Sequence, residues 1–272
     1  MHKPTDRRLP FFDAGRPLVF AHRGGSALAP ENTIEAFDRG AALGADGLEL
    51  DVHLSRDGAV VVHHDATLDR TTDLSGPLVQ RTAEELARAD AGYHFRDAGG
   101  TPFRGRGVGI PSLESVLRRF PDLRVIVELK SEARELAEAV IAVLRRERAV
   151  DRACVGAFGR RGVRLIRSLE PSLATSAARE EVRWALYRSW CRWPVTHAPY
   201  GGFQVPETWG LTRVVSPRFV RNAHDAGAVV QVWTVDSESS ARRLLAWGVD
   251  GVITDRPDLM VPLVAATVRA RS

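Results

Sequence analysis

The chain has 272 residues, of which 44% are hydrophobic and 26% charged, so it can bury the core of one large domain. Its formal net charge is +4, and the arginines are scattered over predicted helices instead of forming a basic block, which argues against a nucleic-acid surface. No apolar run is long enough for a membrane span or a signal peptide, and the two cysteines lack zinc spacing. We therefore expect a soluble, cytoplasmic enzyme or binding domain.

Predicted strands and helices alternate along most of the chain, after an irregular N-terminal leader at residues 1–16. Asn32 and Glu35 fit a capping box and predict that the first helix begins at Asn32. The apolar runs that predict strands are 18–22, 47–53 with a short extension at 59–62, 124–129, 153–158, 173–177, 202–205, 229–235 and 251–254. The helical patterns are 32–43, 112–120, 132–148, 162–169, 180–192, 217–226, 239–247 and 257–271.

Apolar strands that alternate with amphipathic helices indicate a parallel sheet covered on both faces. Eight strands and eight helices in a single domain over 17–272 fit a closed (β/α)8 barrel better than an open doubly wound sheet. No phosphate-binding glycine motif follows the first strand, which weakens the nucleotide-binding alternative. The sequence therefore predicts an α/β protein with a TIM-barrel fold.

One long interruption follows the second strand. Residues 66–111 are rich in Thr, Asp, Gly and Arg, and they contain one predicted short helix at 82–89, with Thr82 and Glu85 at its start. A loop-rich segment of this length inside a compact domain is typical of a functional insertion. We therefore expect a small insertion after the second strand.

Charged side chains stand at the carboxyl ends of the predicted strands, where barrel enzymes place their active sites. Glu49 and Asp51 are two residues apart on one strand and face the same side, and Glu128 and Lys130 repeat this arrangement. Salt bridges explain one such pair, but three carboxylates so close together would raise one another's pKa. A divalent metal relieves that repulsion, and an all-oxygen ligand set favours Mg²⁺ or Ca²⁺.

The net charge of this predicted site suits a monoanion. Three carboxylates, one divalent ion, Arg23 and Lys130 sum to +1, and a phosphodiester carries a single negative charge. Arg23 can offer two parallel N–H groups to phosphate oxygens, while Lys130 acts as a point charge. Gln204 and Trp233 stand at the ends of two later strands, and we expect them to line the substrate pocket.

Two histidines are candidates for proton transfer to and from such a substrate. His22 ends the first strand, and His64 ends the extension after the second strand. One imidazole can take a proton from the attacking hydroxyl while the other protonates the leaving alkoxide. We choose His64 over His63 because neighbours on a strand face opposite sides and His64 precedes Asp65. His53 shares the face of the carboxylates and is a further candidate for a metal ligand.

These residues belong to a set of motifs that resembles the glycerophosphodiester phosphodiesterase family. The motifs match in order from about residue 18 to 256, and together they are specific, whereas any one alone would mean little. They are His22-Arg23-Gly24, Pro30-Glu31-Asn32-Thr33, Glu49-x-Asp51, Asp57-Gly58, Val61-x-x-His64-Asp65, Leu68-x-Arg70-Thr71-Thr72, Ile110-Pro111-Ser112-Leu113-Glu114, Glu128-x-Lys130, Gln204-Val205-Pro206 and Val232-Trp233-Thr234-Val235.

The resemblance implies a metal-dependent enzyme that cleaves a small glycerophosphodiester through a cyclic phosphate, giving an alcohol and glycerol 3-phosphate. It also implies that 66–111 is the family's small insertion over the active-site mouth. The residues that it assigns are His22 and His64 as the acid–base pair, Glu49, Asp51 and Glu128 as ligands of one divalent cation, and Arg23 and Lys130 as the groups that stabilise charge on the phosphoryl oxygens.

Two features depart from the family's pattern. Ala157-Phe158 stands where family members often have Ser-Phe, which removes a possible hydroxyl. The segment 183–194 is unusually rich in tryptophan. A helix packed on the barrel wall would explain this composition, and so would an exposed apolar lip in peripheral contact with lipid. Such a lip would receive an acyl chain, so the substrate would be a lysophospholipid.

Two functions of other classes compete with phosphodiester hydrolysis. A barrel that binds phosphate without turnover would keep the shape but would have lost key residues, and none of them is replaced in this chain. A lyase or aldolase would use Lys130 as a Schiff base, which would leave the carboxylates and the paired histidines without a purpose.

Overall fold

The computed structural model describes residues 9–157, 159–191, 193 and 198–270. The strands in this part of the chain are β1 (Leu18–His22), β2 (Gly47–Leu54), β3 (Val60–Val62), β4 (Arg124–Leu129), β5 (Ala153–Ala157), β6 (Ala174–Thr175), β7 (Gly202–Pro206), β8 (Thr208–Trp209), β9 (Thr212–Arg213), β10 (Val229–Trp233) and β11 (Gly251–Thr254). The helices are α1 (Ile34–Ala42), α2 (Ala83–Ala87), α3 (Leu113–Arg119), α4 (Arg134–Arg146), α5 (Arg160–Leu169), α6 (Arg179–Trp190), α7 (Pro217–Asp225), α8 (Glu238–Ala246) and α9 (Pro257–Arg269).

Eight of these strands form one parallel sheet in the order β6-β5-β4-β2-β1-β11-β10-β7. Among the described residues, a single parallel bridge between Ser176 and Gly202 joins the two outermost strands, and the Ala177 amide donates to the Gly202 carbonyl at 2.9 Å. The sheet is therefore a nearly closed barrel, and helices cover its outer face between successive strands. The predicted TIM barrel is confirmed.

The start of α1 differs from the prediction by one residue, and the difference positions a functional side chain. The N-cap is Thr33, whose hydroxyl accepts from the Ala36 amide at 3.2 Å. Asn32 instead has a φ of 60°, a left-handed conformation that Asn tolerates better than most residues. The predicted capping box of Asn32 with Glu35 is therefore wrong.

Apolar side chains fill the amino-terminal half of the barrel interior. They include Leu18, Phe20, Ile126, Cys154, Ala174, Val229 and Ile253. A 3-10 turn at Pro10–Phe12 closes this end, with Phe11 and Phe12 buried against the interior side chains. Gly201 and Gly202 make room for the Phe12 ring, since an added Cβ at either position would lie within 2.7 Å of it. The expectation that the leader lacks regular structure is wrong for 10–12.

The segment after β2 has a small core of its own. Strand β3 runs antiparallel to β2, and a 3-10 turn at Leu78–Gln80 precedes α2. Helix α2 begins with the expected capping box between Thr82 and Glu85. The apolar side chains that pack together here are Val61, Leu68, Leu78, Leu86, Ala89, Ala91, Val108 and Ile110.

Two further details of the fold differ from the prediction, and two predicted positions are not described by the structure. The sixth barrel strand covers only Ala174–Thr175, and the rest of the expected run at 173–177 is not part of a strand. An antiparallel hairpin of β8 and β9 follows β7, where no element was expected. The predicted positions Phe158 and Arg192 lie outside the described residues.

None of the described helices has the length and apolar character that a membrane crossing requires.

Candidate active site

Two neighbouring strands, β2 and β4, bring the predicted carboxylates together at the carboxyl end of the barrel. The strand register places His22 beside Glu49 and Asp51 beside Glu128. Glu49 and Asp51 are buried, Glu128 is half-buried, and one carboxylate oxygen of each lies within 4.8 Å of the other two. The pairing of β2 with β4 therefore converts two period-two patterns, which lie about 75 residues apart in sequence, into one acidic cluster.

The cluster holds more negative charge than its surroundings offset. Burial and the Asp51 charge raise the pKa of Glu49 to about 8. Burial also disfavours the Asp51 carboxylate, but the cationic Lys130 and Arg23 outweigh burial and hold the pKa of Asp51 below its usual range. One carboxyl of the pair is thus difficult to ionise while the other stays charged. A divalent cation would relieve this repulsion, so the three oxygen donors fit one.

Asp51 is held by polar groups on several sides. Lys130 Nζ lies 2.9 Å from Asp51 Oδ1 and 2.8 Å from Glu128 Oε1. The Asn32 side chain donates to Asp51 Oδ2 at 2.8 Å and accepts from the Asp51 amide at 3.3 Å. Arg23 Nε lies 3.3 Å from the same Oδ2. These contacts fix the orientation of a carboxylate that is almost completely buried.

His22 lies between two carboxylates. Its Nδ1 is 2.6 Å from Asp255 Oδ1, and its Nε2 is 3.8 Å from Glu49 Oε2. Burial alone would lower the pKa of His22, but the charges of Glu49 and Asp255 outweigh it and raise that pKa. Asp255 follows β11, the strand that pairs with β1, so barrel closure supplies this partner. The contact with Asp255 leaves Nε2 on the side of the acidic cluster.

His64, which lines the same cavity as His22, has a similar arrangement. Its Nδ1 lies 2.6 Å from Asp65 Oδ1. Arg70 Nε donates to Asp65 Oδ2 at 2.5 Å, and the other Arg70 nitrogens donate to Glu31 at 2.6 and 2.8 Å. Glu31 in turn accepts from Arg23 Nη1 at 3.0 Å. A continuous series of charged contacts therefore runs from His64 to Arg23.

The other two histidines of this region point elsewhere. His63 Nε2 lies 3.2 Å from the Thr67 carbonyl, and His53 Nε2 lies 3.2 Å from the His64 carbonyl. Burial lowers the pKa of both rings. Each neutral ring can thus donate to its carbonyl, which directs His53 Nε2 away from the acidic cluster. Of His63 and His64, only His64 lines the cavity described next.

A cavity of about 830 Å³ opens over the acidic cluster. Its charged end is lined by His22, Arg23, Glu49, Asp51, His64, Glu128 and Lys130. Gln204 and Trp233 also line it, as expected, and Gln204 Nε2 donates to Gln231 Oε1 at 3.0 Å. Helix α6 and the β8–β9 hairpin form an apolar wall on one side, through residues such as Val182, Leu186 and Trp209. Ala157, which stands where family members often have a serine hydroxyl, also lines this cavity.

Sequence reasoning missed four residues that orient the proposed catalytic groups. Asp255 could not be connected to His22 from the sequence, because nothing local relates residues 233 positions apart. Asn32 was assigned to a helix cap. Glu31 and Arg70 occur in the motifs quoted above, and these motifs are the signal that could have singled them out.

Residues 22–259 match the model of the glycerophosphoryl diester phosphodiesterase family. The chain belongs to this family. The resemblance inferred from the motifs is confirmed, and with it the prediction of an enzyme that hydrolyses phosphodiesters. The matched range begins at His22 and includes each of the residues placed around the acidic cluster.

Relatives and solved structures of the family resemble the chain over most of its length. A glycerophosphodiester phosphodiesterase of Caldanaerobacter subterraneus is 33% identical over 257 residues, which are 92% of this chain and 98% of the relative. One from Bacillus altitudinis is 32% identical over 90% of this chain and 97% of the relative. The structure of the Agrobacterium tumefaciens glycerophosphodiester phosphodiesterase has a TM-score of 0.73 and 27% identity, covering 90% of this chain and 99% of the other. An Oleispira antarctica phosphodiesterase in complex with sn-glycerol 3-phosphate has a TM-score of 0.75 and 26% identity, covering 92% and 98%.

Proposed function

We propose that this member of the family hydrolyses glycerophosphodiesters to an alcohol and sn-glycerol 3-phosphate, with one divalent cation and a pair of histidines. One observation carries the proposal. Two imidazoles, His22 and His64, each with a carboxylate on Nδ1, line the same cavity as a cluster of three carboxylates. The sn-glycerol 3-phosphate bound by the related Oleispira antarctica enzyme supports this choice of product. The predicted cytoplasmic location stays a prediction.

The residues that would hold the cation are Glu49, Asp51 and Glu128. Their all-oxygen donor set favours Mg²⁺ or Ca²⁺. When bound, such an ion supplies positive charge to the phosphate and to the hydroxyl that attacks it. Lys130 already neutralises part of the cluster, and its contacts with Asp51 and Glu128 place its ammonium at the cavity floor, where it can face a phosphoryl oxygen.

The histidines supply the two proton transfers. A carboxylate on Nδ1 fixes the ring orientation and leaves Nε2 as the nitrogen that can face substrate. One Nε2 accepts the proton of the attacking hydroxyl as the new P–O bond forms. The other donates a proton to the departing oxygen as the old P–O bond breaks, so the alcohol leaves neutral. With a glycerol hydroxyl as the attacking group, a cyclic phosphate remains. Water then opens it to glycerol 3-phosphate with the two histidines in exchanged roles. Arg23, which lines the cavity, stabilises the charge on the phosphoryl oxygens.

The segment 66–111 is proposed as the insertion that covers this mouth. The support is its Arg70, which forms hydrogen bonds both to Asp65 next to His64 and to Glu31 in the loop after β1. The insertion is therefore attached to the charged end of the cavity. Its small apolar core gives Arg70 a fixed base from which to make these contacts.

The test measures release of glycerol 3-phosphate from glycerophosphocholine. His22→Asn and His64→Asn should each lower kcat about 10²- to 10⁴-fold, as expected for loss of a proton-transfer group. His94→Asn, an exposed histidine in the insertion, is the matched control and should keep full activity. Wild-type turnover in either histidine variant would refute the assigned pair.

Metal dependence is tested separately by calorimetry. Mg²⁺ or Ca²⁺ titrated into metal-free protein should bind at one site, and Glu49→Gln should weaken that binding at least tenfold, because a charged ligand is lost. Glu84→Gln, an exposed glutamate of α2, should bind as wild type. Full activity of the wild-type protein in excess EDTA would contradict the proposed cofactor.

A second candidate activity is hydrolysis of lysophospholipids in the same site. The observation that favours it is the apolar wall of α6 and the hairpin, which continues from the charged end of the cavity and could receive an acyl chain. Comparing kcat/KM for lysophosphatidylcholine and glycerophosphocholine tests it. Turnover of the deacylated substrate alone would exclude it.

A further inference from the structure

Large apolar side chains stand in solvent around the cavity mouth. Helix α6, the hairpin of β8 and β9 and one residue shortly after α6 carry them. We call the set the aromatic rim: Trp184, Tyr187, Trp190, Trp193, Trp209 and Leu211. The five aromatic side chains are each about half exposed, and Leu211 is fully exposed. A monomeric protein rarely exposes so many large apolar groups together unless they contact a partner or a membrane.

The α6 part of the rim is one face of a helix. Trp184, Tyr187 and Trp190 recur every three residues, so they project on the same side. The rings of Trp184 and Tyr187 are stacked, with centroids 5.8 Å apart. The opposite face packs on the barrel through Ala185 and Leu186. Packing therefore orients this helix with its aromatic face towards solvent.

The hairpin part of the rim is a projecting tip. Strands β8 and β9 pair antiparallel, and a two-residue turn of Gly210 and Leu211 connects them. Gly210 has a φ of 56°, the left-handed conformation that such a turn uses. Leu211 therefore stands at the most exposed point of the hairpin. A projecting apolar tip is suited to insertion into a soft surface, whereas a protein partner would more readily receive a flat or concave patch.

Arginine side chains hold the aromatic rings in place. The Arg179 guanidinium lies 5.0 Å from the ring centre of Trp209, which links α6 to the hairpin. Arg188 lies between two indoles, 5.4 Å from the centre of Trp184 and 5.8 Å from that of Trp193. The cations are thus interleaved with the aromatic groups, as cation–π contacts require.

The charge of these two elements favours an anionic partner. Arg179, Arg183 and Arg213 are exposed beside the rim. Of the two glutamates of α6, Glu181 is engaged by Arg167 at 2.8 Å, so Glu180 alone opposes the arginines within these elements. Basic side chains near an anionic bilayer are attracted to its surface. Trp and Tyr are also the side chains that concentrate at the lipid–water boundary.

We propose that the aromatic rim docks the cavity mouth onto a lipid bilayer that contains anionic headgroups. Leu211 and the indoles enter the boundary between headgroups and acyl chains, and the arginines face lipid phosphates. Since Trp184, Tyr187, Trp190 and Trp209 also line the cavity, its mouth then opens at the lipid surface. This docking is a property of the surface and does not depend on which phosphodiester the site hydrolyses.

The experiment is sedimentation of the full chain with lipid vesicles in EDTA. Wild-type protein should partition at least tenfold more onto equimolar phosphatidylcholine–phosphatidylglycerol vesicles than onto phosphatidylcholine alone, and added salt should reduce the difference. The double variant Trp193→Ala with Leu211→Asp, neither of which lines the cavity, should lose most of this binding. Arg213→Glu should lose part of it.

Two controls separate this proposal from the proposed activity. Leu43→Asp changes an exposed apolar residue at the end of α1, beside the amino ends of the strands, and should bind vesicles as wild type. The double variant should hydrolyse soluble glycerophosphocholine at the wild-type rate, which shows that it is folded. Absence of anionic-vesicle binding by the wild type, or equal binding by the double variant, would overturn the proposal. So would a dimer in analytical ultracentrifugation that the double variant abolishes, because the rim would then join two copies of this chain.

Discussion

Arg70 binds Glu31 through two hydrogen bonds, of 2.6 and 2.8 Å, and so connects the segment after β2 to the loop after β1. The same guanidinium donates to Asp65, the carboxylate on His64 Nδ1. Burial alone would raise the pKa of Asp65, but Arg70 and His64 outweigh it and hold that pKa well below its usual range. The orientation of His64 therefore depends on a side chain outside the barrel.

Replacing Arg70 with alanine should lower kcat about tenfold and leave KM nearly unchanged, because His64 loses its fixed position while the three proposed metal ligands keep their contacts. Steady-state kinetics with glycerophosphocholine measures both values. Arg88→Ala, which removes an exposed ion pair with Glu84 elsewhere in the insertion, is the control and should match wild type. An unchanged kcat in Arg70→Ala would show that Asp65 orients His64 without this contact.

Asp255→Asn should shift one limb of the pH profile of kcat/KM to lower pH. The Asp255 charge helps to raise the pKa of His22, so removing it lowers that pKa. If His22 is the base, the acid limb moves, and if His22 is the acid, the alkaline limb moves. Asp258→Asn, whose carboxylate pairs with Arg256, should leave both limbs in place. An unchanged pH profile would show that neither limb reports the ionisation of His22.

Asn32→Ala and Asn32→Gly should each weaken binding of the proposed cation about 10- to 100-fold, the usual effect of losing a group that orients a ligand. The lost contact is the hydrogen bond of 2.8 Å to Asp51 Oδ2. Only alanine should cost additional stability, of order 1 kcal/mol, because the backbone keeps a positive φ that glycine adopts freely. Calorimetry and denaturant unfolding measure the two effects. Wild-type affinity in the glycine variant would contradict the role given to the amide.

Glu31→Gln should destabilise the protein in a pH-dependent way. Burial opposes ionisation of Glu31, but hydrogen bonds from Arg70 and the Arg23 charge lower its pKa from 4.5 to about 2. Because the folded pKa is the lower one, this stabilisation is complete above 4.5 and disappears as the pH falls towards 2. This pKa shift corresponds to a contribution on the order of 3 kcal/mol to the free energy of unfolding at pH 7.

Urea unfolding of wild type and Glu31→Gln at pH 7 and pH 3 measures this difference. The gap between the two proteins should be largest at pH 7 and smaller at pH 3. Glu84→Gln removes an exposed carboxylate and should change stability by less than about 0.5 kcal/mol at both values. A gap that is the same at pH 3 and pH 7 would mean that Glu31 acts through packing and not through its charge.

The acidic cluster was predictable because it follows from short residue patterns within single strands. Glu49 and Asp51 share a face by strand alternation, and both end an apolar run, where a barrel places functional groups. Glu128 and Lys130 follow the same rule. Once a barrel was inferred, the adjacency of β2 and β4 brought the two patterns together without further information.

The residues that orient the histidines were not predictable, because their positions depend on tertiary contacts. Asp255 meets His22 only when β11 closes against β1. Asn32 and Thr33 are both good caps, and the cap falls on Thr33 in the structure, where the Asn32 amide is engaged by Asp51. Phe11 and Phe12 are too few to show a periodicity, so their role inside the barrel left no pattern in the leader.

The single bridge between β6 and β7 has a consequence for motion. Every other pair of neighbouring barrel strands shares at least two registered residue pairs, whereas this seam has the bridge of Ser176 with Gly202 and one adjacent hydrogen bond. Local opening costs least where few hydrogen bonds must break. Amides at 174–178 should therefore exchange with deuterium faster than those of β2 or β4. Helix α6 directly follows this seam between β6 and β7. The cavity wall that carries the aromatic residues is therefore attached to the part of the barrel that opens most easily.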